Sequence, residues 1–121
     1  MKKWILVPII TEKEAEDEFL EKVKDSGKIV LIYVVDSEKM NQLPAGFIGS
    51  GIKSAENVMQ EIKEKLPEVE IKECIEWGRW LDKIENTAKL EKTDEVVMRK
   101  SAFTDELKGE LEKRGVKVVI F

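Results

Sequence analysis

The chain contains 121 residues, of which 42% are apolar and 38% are charged, and we expect one globular domain over residues 1–121. The formal net charge of −4 argues against binding to nucleic acid, which requires a dense basic patch. The sequence has no histidine, which excludes Ser–His and Cys–His catalysis and zinc sites built on histidine.

The first half of the chain predicts two buried strands separated by a helix. Residues 4–10 and 29–35 are continuous apolar runs that are too short for helices. Between them, Thr11-Glu12-Lys13-Glu14 matches a capping box, which predicts that a helix begins there and ends near Gly27. The stretch from Asp36 to Gly51 is predicted to be irregular, since it contains one proline and three glycines.

The second half of the chain continues this alternation of helices and strands. In order, the pattern predicts a helix from Ile52 to Leu66, a polar edge strand over 69–75, a helix after 77–79, a strand over 95–98, a helix around 103–111 that ends at Gly115, and a strand over 116–121. Strands that are separated by helices run parallel, so we expect a three-layer α/β/α domain with right-handed crossovers.

Five segments, in this order and spacing, resemble the universal stress protein family. They are Ile5–Ile9, Leu31–Asp36, Ile75–Gly78, Thr93–Met98 and Val116–Ile120, and together they extend over almost the whole chain. The resemblance implies a Rossmann-like fold of the adenine nucleotide alpha hydrolase-like type, with a five-stranded parallel sheet in the order 3-2-1-4-5. Members of this family are often dimers, and some of them bind ATP, so the resemblance implies both properties as possibilities for this chain.

The sequence departs from the two features that the ATP-binding members of this family share. Those members have an aspartate after the first strand and the pattern G-x2-G-x9-G-[ST] after the fourth. Here Ile10 takes the place of the aspartate, Arg99 and Ala102 take the places of two glycines, and no Gly-Ser or Gly-Thr pair follows. Side chains at these positions obstruct the approach of backbone amides to phosphates. We therefore expect no cofactor, and ATP or AMP binding is disfavoured.

A small-molecule site, if the chain has one, is expected at the carboxyl ends of the strands. Arg99, Lys100 and Ser101, with Thr104 opening a helix, form either an anion site or a solvated turn in which Ser101 or Thr104 is the N-cap. The glycine-rich residues 46–51 either surround a phosphate or form an ordinary turn. The candidate ligand-binding residues are Ile10, Thr11, Asp36, Gly49, Ser50, Gly51, Arg99, Lys100, Ser101 and Thr104.

Two side-chain groups near this edge have a structural and a functional interpretation. Trp77 and Trp80 flank Arg79 and either stack on a planar ligand or pack against the sheet. Cys74 is interpreted as an inert small residue, and as a lone cysteine it favours a cytoplasmic location. No apolar run reaches the length of a membrane span. The abundance of Lys and Glu is typical of proteins from hot environments and of helix-rich surfaces alike.

The last strand is the predicted interaction surface. Val116, Val118 and Ile120 are expected on one face, with Val119 and Phe121 on the other. An apolar strand at a sheet edge requires covering, so we expect a homodimer, or a protein partner, at this strand; alternatively the fourth helix shields it in a monomer. The leading hypothesis is a regulatory or binding module without ATP. The alternatives are a nucleotide- or anion-binding protein with weak hydrolysis, and an enzyme of another α/β class.

Overall fold

The computed structural model describes residues 2–11, 13–35 and 51–121. Strands and helices alternate through these ranges: β1 (Trp4–Pro8), α1 (Asp17–Val23), β2 (Lys28–Val35), α2 (Ile52–Lys65), β3 (Glu70–Trp77), α3 (Trp80–Leu90), β4 (Glu95–Met98), α4 (Thr104–Lys113) and β5 (Val118–Ile120). The predicted irregular loop, with the candidate residues Asp36, Gly49 and Ser50, lies outside the described residues.

The strands form one parallel sheet in the order β3-β2-β1-β4-β5. β1 lies at the centre, where Trp4–Pro8 pair with Lys28–Ile32 of β2 on one side and Ile5 and Leu6 pair with β4 on the other. The predicted sheet order and the predicted parallel α/β/α architecture are confirmed.

Each face of the sheet carries its own apolar core, because successive side chains of a strand point to opposite faces. Ile5, Val7 and Ile9 pack against α1 and α2, whereas Leu6 and Ile10 belong to the cluster on the side of α3 and α4. Burying one such side chain contributes about 1.5–3 kcal/mol, so β1 is held from both faces. Within the described ranges, no helix has the length and apolar character needed to cross a membrane.

The first helix begins later than its sequence signal predicts. Thr11 and Glu14 do interact as in a capping box, since the Thr11 amide donates to both carboxylate oxygens of Glu14 at 3.1 Å. However, the Thr11 hydroxyl accepts from the amide of Lys13 at 3.0 Å, and the helix begins only at Asp17. The prediction of a helix opening at Thr11 is wrong because Glu14 enters the core and leaves residues 13–16 as a turn.

Two strands are shorter than the apolar runs that predict them. β1 ends at Pro8, although the amide of Ile9 still donates to the Ile32 carbonyl at 2.8 Å. β5 begins at Val118, because the amide of Val116 donates instead to the Leu111 carbonyl at 3.1 Å and closes the turn after α4. An apolar run in the sequence therefore marks a buried segment that extends beyond the regular strand within it.

α3 and α4 end in the same backbone motif with different residues at the critical position. After α4, Gly115 has φ +83°, and the amides of Gly115 and Val116 donate back to Glu112 and Leu111. After α3, the corresponding left-handed residue is Lys92 with φ +56°, and its amide donates to Lys89 at 3.3 Å. Both are Schellman endings, but only α4 has the glycine that this conformation favours.

Candidate functional site

The candidate site is the edge of the sheet where β1 and β4 end side by side. Thr11 lies shortly after β1, and Arg99 directly follows β4. The Arg99 guanidinium lies 3.6 Å from the carboxylate of Glu16 and also donates to the Lys100 carbonyl at 3.2 Å. A side chain that follows β4 therefore contacts the segment that follows β1.

Ile10, the residue at the family's aspartate position, lies in the core. It is 5% exposed and belongs to the same cluster as Leu6, Ile32 and Met98 on the side of α3 and α4. Its apolar side chain contributes to packing and offers no hydrogen bond to a ligand.

Ser101 and Thr104 are brought together, but as partners of each other. The Ser101 amide donates to the Thr104 hydroxyl at 3.1 Å, and that hydroxyl donates to the Ser101 carbonyl at 3.0 Å. Thr104 is fully buried and is already the first residue of α4, whose N-cap is Phe103 without a side-chain cap. The predicted N-cap role of Ser101 or Thr104 is therefore wrong. The Ser101 hydroxyl oxygen is buried without a hydrogen-bond partner in the structure described.

The charge at the start of α4 is mixed. Asp105 and Glu106 lie in its first turn, where they interact favourably with the positive end of the helix dipole. Lys100 has an exposed side chain, and its amide donates to the Phe121 carbonyl at 2.7 Å. An anion at this point would gain from Arg99 and Lys100 but would also approach two carboxylates.

Gly51 is the one residue of the candidate glycine-rich loop within the described ranges. It is the N-cap of α2, and its carbonyl accepts from the Ala55 amide at 2.9 Å. Burial raises the pKa of Tyr33, and a hydrogen bond with the Gly51 backbone opposes that rise. Gly51 thus connects the start of α2 to the end of β2.

Glu14 also lies at this edge. From the sequence, it is interpreted only as part of a capping box and is not included among the candidate site residues. Its side chain is fully buried, and the Thr11 hydroxyl donates to it at 3.1 Å in addition to the Thr11 amide. Burial raises its pKa to about 7, although these hydrogen bonds act in the opposite direction. In the sequence, Thr11 and Glu14 are three residues apart directly after an apolar strand. This spacing indicates that the two residues interact, but it does not indicate that the Glu14 carboxyl is buried.

The aromatic and thiol groups beside β3 differ in how far they are buried. Trp77 is 62% exposed at the end of β3, whereas Trp80 packs against the core cluster under α3. Burial raises the pKa of the Cys74 thiol, so this cysteine lacks the stabilised thiolate of a reactive site.

β5 forms one border of the sheet and has the predicted distribution of faces. Val116, Val118 and Ile120 belong to the cluster with α4, Val119 belongs to the opposite cluster, and Phe121 is 46% exposed. Lys117 and Phe121 bond to β4 through their backbones. Because backbone groups alternate in direction along a strand, those of Val118 and Ile120 point toward the free edge.

β3 forms the other border and is charged. Four of its eight residues, Glu70, Lys72, Glu73 and Glu76, carry charges, and each has an oppositely charged neighbour from within the chain. Charged side chains on an edge strand oppose pairing with another strand, because pairing would remove them from water. The two borders of the sheet therefore differ in kind.

Comparison with known proteins identifies the fold. No protein-family model and no curated protein matches the sequence. Among solved structures, that of hypothetical protein MJ0577 is 21% identical with a TM-score of 0.70, and the match covers 99% of this chain and 95% of that one. A universal stress protein family structure from Burkholderia pseudomallei is 18% identical with a TM-score of 0.67, covering 99% and 96% of the two chains. A universal stress protein in complex with cAMP is 13% identical with a TM-score of 0.58, again covering 99% and 96%. The chain has the fold of the universal stress proteins, and the resemblance seen in the sequence is confirmed at that level.

Proposed function

We propose that this chain is a universal-stress-protein-like binding or regulatory module that forms a homodimer through β5 and does not use the family's ATP site. The observation that carries the proposal is the contrast between two parts of the sheet. The edge where β1 and β4 end is occupied by the chain's own side chains, whereas the border formed by β5 is uncharged from Val118 to Phe121.

The loss of ATP binding is supported by how the edge beyond β1 and β4 is occupied. Ile10 is packed in the core, and the Arg99 side chain is directed toward Glu16. The amide of Ser101 is already bonded to Thr104. A triphosphate needs free backbone amides at close range, and these contacts would have to break before it could bind.

The nucleotide part of the proposal is tested by thermal unfolding with ATP, AMP or cAMP at millimolar concentration. We expect no change in Tm, because a ligand that does not bind the folded chain cannot stabilise it. A rise in Tm that is lost in Arg99→Ala and kept in Arg79→Ala would contradict the proposal. Arg79 is a suitable control because it is an exposed arginine at the end of another strand.

That contradicting result would instead support a second function, binding of a nucleotide or small anion through Arg99, Lys100 and Ser101, with or without slow hydrolysis. The observation that favours this alternative is the buried Ser101 hydroxyl without a partner in the part of the chain described, because such groups generally have one. A structural neighbour in complex with cAMP also supports it.

Dimer formation is supported by the state of the β5 border. The outward backbone groups of Val118 and Ile120 border on no further strand in the described part of the chain, and the ring of Phe121 is exposed beside them. A cavity of about 180 Å³ opens next to Phe121, and its lining combines Ile5, Val23 and Val97 with the charged residues Lys3, Lys22, Asp25 and Glu95. α4 contacts β5 through one face of the sheet and leaves the other available.

The dimer is tested by comparing two aromatic residues at the two borders. We expect native mass spectrometry and light scattering to give twice the mass of one chain for the wild type. Phe121→Lys should give the monomer, because the charge would be removed from water when β5 pairs. Trp77→Lys, at the end of the β3 border, should remain dimeric. A wild-type monomer, or a dimer that only Trp77→Lys disrupts, would contradict the proposal.

The lone Cys74 is a free thiol, which is consistent with a reducing compartment. On this basis we propose a cytoplasmic location for the module.

A further inference from the structure

The chain contains two buried carboxyl groups that differ in how their charge is balanced. Glu95 is 8% exposed and lies between Lys3 and Lys117, at 3.5 and 3.4 Å from one of its oxygens. Glu14 is fully buried, and no salt bridge in the described part of the chain involves it. Among the described residues, Glu95 therefore has two compensating cations and Glu14 has none.

The hydrogen bonds to Glu14 come mainly from Thr11, and the backbones of Ile10 and of Glu14 itself add to them. The Thr11 amide donates to both carboxylate oxygens and its hydroxyl donates to Oε2, each at 3.1 Å. The same hydroxyl accepts from the amide of Lys13 at 3.0 Å. These bonds fix the segment of Thr11 and residues 13–16, which we call the β1–α1 turn.

The charged groups around the β1–α1 turn are directed to other partners. From α2, the ammonium of Lys65 donates to the Ala15 carbonyl at 3.0 Å and pairs with Asp17. From the segment after β4, Arg99 pairs with Glu16. From β2, Tyr33 faces the same side of the sheet as α1, but burial raises its pKa further above neutrality. On the turn itself, the exposed charged residues are Lys13 and Glu16.

Burial without a cation disfavours the charged form of a carboxyl group, because the interior solvates charge poorly. The pKa of Glu14 is accordingly raised to about 7, so the group holds a proton in the folded chain under conditions where an exposed glutamate has lost it. Opening the turn would return Glu14 to water and to an ordinary pKa.

We propose that Glu14 makes the β1–α1 turn a pH-sensitive element: the neutral carboxyl holds the turn against the core, and loss of its proton favours an open turn in which Arg99 is released from Glu16. This inference goes beyond the proposed function, since it does not depend on a dimer or on the fate of the ATP site. The opening equilibrium shifts between the pKa of an exposed glutamate and that of buried Glu14, and it is constant above both.

Amide hydrogen exchange measured by NMR tests this element directly. We follow the amides of Thr11 and Lys13 from pH 5 to pH 7 and correct each rate for intrinsic exchange. In the wild type their protection should fall by about 40-fold, because the opening constant changes almost tenfold per pH unit between the two pKa values and less close to each of them. Glu14→Gln, which is neutral at every pH, should remove this fall. Glu16→Gln, which changes an exposed carboxyl on the same turn, should retain it.

Two results would overturn the proposal. One is a fall in protection that persists in Glu14→Gln. The other is protection of Thr11 and Lys13 equal to that of Leu6 at the centre of β1, because the turn would then open only when the whole chain unfolds. If Glu14→Gln does not fold, ¹³C detection of the wild-type carboxyl decides the matter: a titration near pH 4 refutes the proposal, and one near neutrality supports it.

Discussion

At the scale of single residues, burial of a charged group has opposite consequences at Glu14 and Glu95. Glu95 is flanked by two lysines whose side chains are largely exposed, so its charge is balanced at the rim of the core. Glu14 accepts hydrogen bonds but has no cation near it among the described residues, and burial raises its pKa to about 7. Removing the charge should therefore stabilise the folded chain at Glu14 and destabilise it at Glu95.

We predict that Glu14→Gln stabilises the chain increasingly from about pH 5 to pH 7. In the wild type the folded state binds more protons than the unfolded state in this range, so the free energy of unfolding falls as the pH rises. Burial raises the Glu14 pKa to about 7, from an ordinary value near 4.5, which bounds the effect at about 3 kcal/mol. Urea unfolding of both proteins at pH 5, 6, 7 and 8 measures the difference.

Glu95→Gln is the matched control for this prediction. It removes the anion that Lys3 and Lys117 share, and we expect a loss of about 1 kcal/mol, because both lysines are exposed. If the stabilities of Glu14→Gln and the wild type differ by the same amount at every pH, Glu14 does not titrate differently in the folded chain.

At the scale of elements, the ends of helices were predicted with less accuracy than their apolar faces. The predicted helix from Ile52 to Leu66 is present, and its buried residues Ala55, Val58, Met59 and Ile62 recur at the three- and four-residue spacing of an amphipathic helix. The start of α1 was missed, because a capping-box pattern specifies a local interaction but not whether a helix follows it. Here the burial of Glu14, which depends on contacts distant in sequence, decided the conformation.

The two Schellman endings give a prediction at this scale. Lys92→Gly should stabilise the chain by about 0.5–1 kcal/mol, because Lys92 has φ +56°, which side chains with a Cβ adopt at a cost. Gly115→Ala should destabilise it by about 1 kcal/mol for the same reason. A Cβ at Gly115 would meet no atom within 4 Å, so backbone strain alone is measured there.

Thermal and urea unfolding of the two variants and the wild type provide the measurement. Equal and small effects of both substitutions would show that neither helix ending is under backbone strain. A loss of stability in Lys92→Gly would mean that the greater freedom of glycine in the unfolded chain outweighs the relief of strain.

At the scale of the whole molecule, the architecture was accessible from the sequence. Alternating buried strands and amphipathic helices require a parallel sheet with helices on both faces, and the observed strand order is the one that the resemblance implied. The candidate site was predicted less well. Sequence position placed Ile10, Ser101 and Thr104 after the ends of β1 and β4, where the structure has them, but only the folded chain shows that Ile10 faces the core and that Ser101 and Thr104 bond to each other.

The unequal borders of the sheet bear on how many copies can join. When two chains pair through β5, the uncharged border of each chain is occupied. The border that remains exposed on each chain is β3, with its four charged side chains. If the proposed dimer forms, growth would therefore terminate at a closed twofold pair, whereas a sheet with two apolar borders could add further chains at each border into a fibre. In the proposed dimer, Lys72 and the three glutamates of β3 would thus oppose open-ended polymerisation.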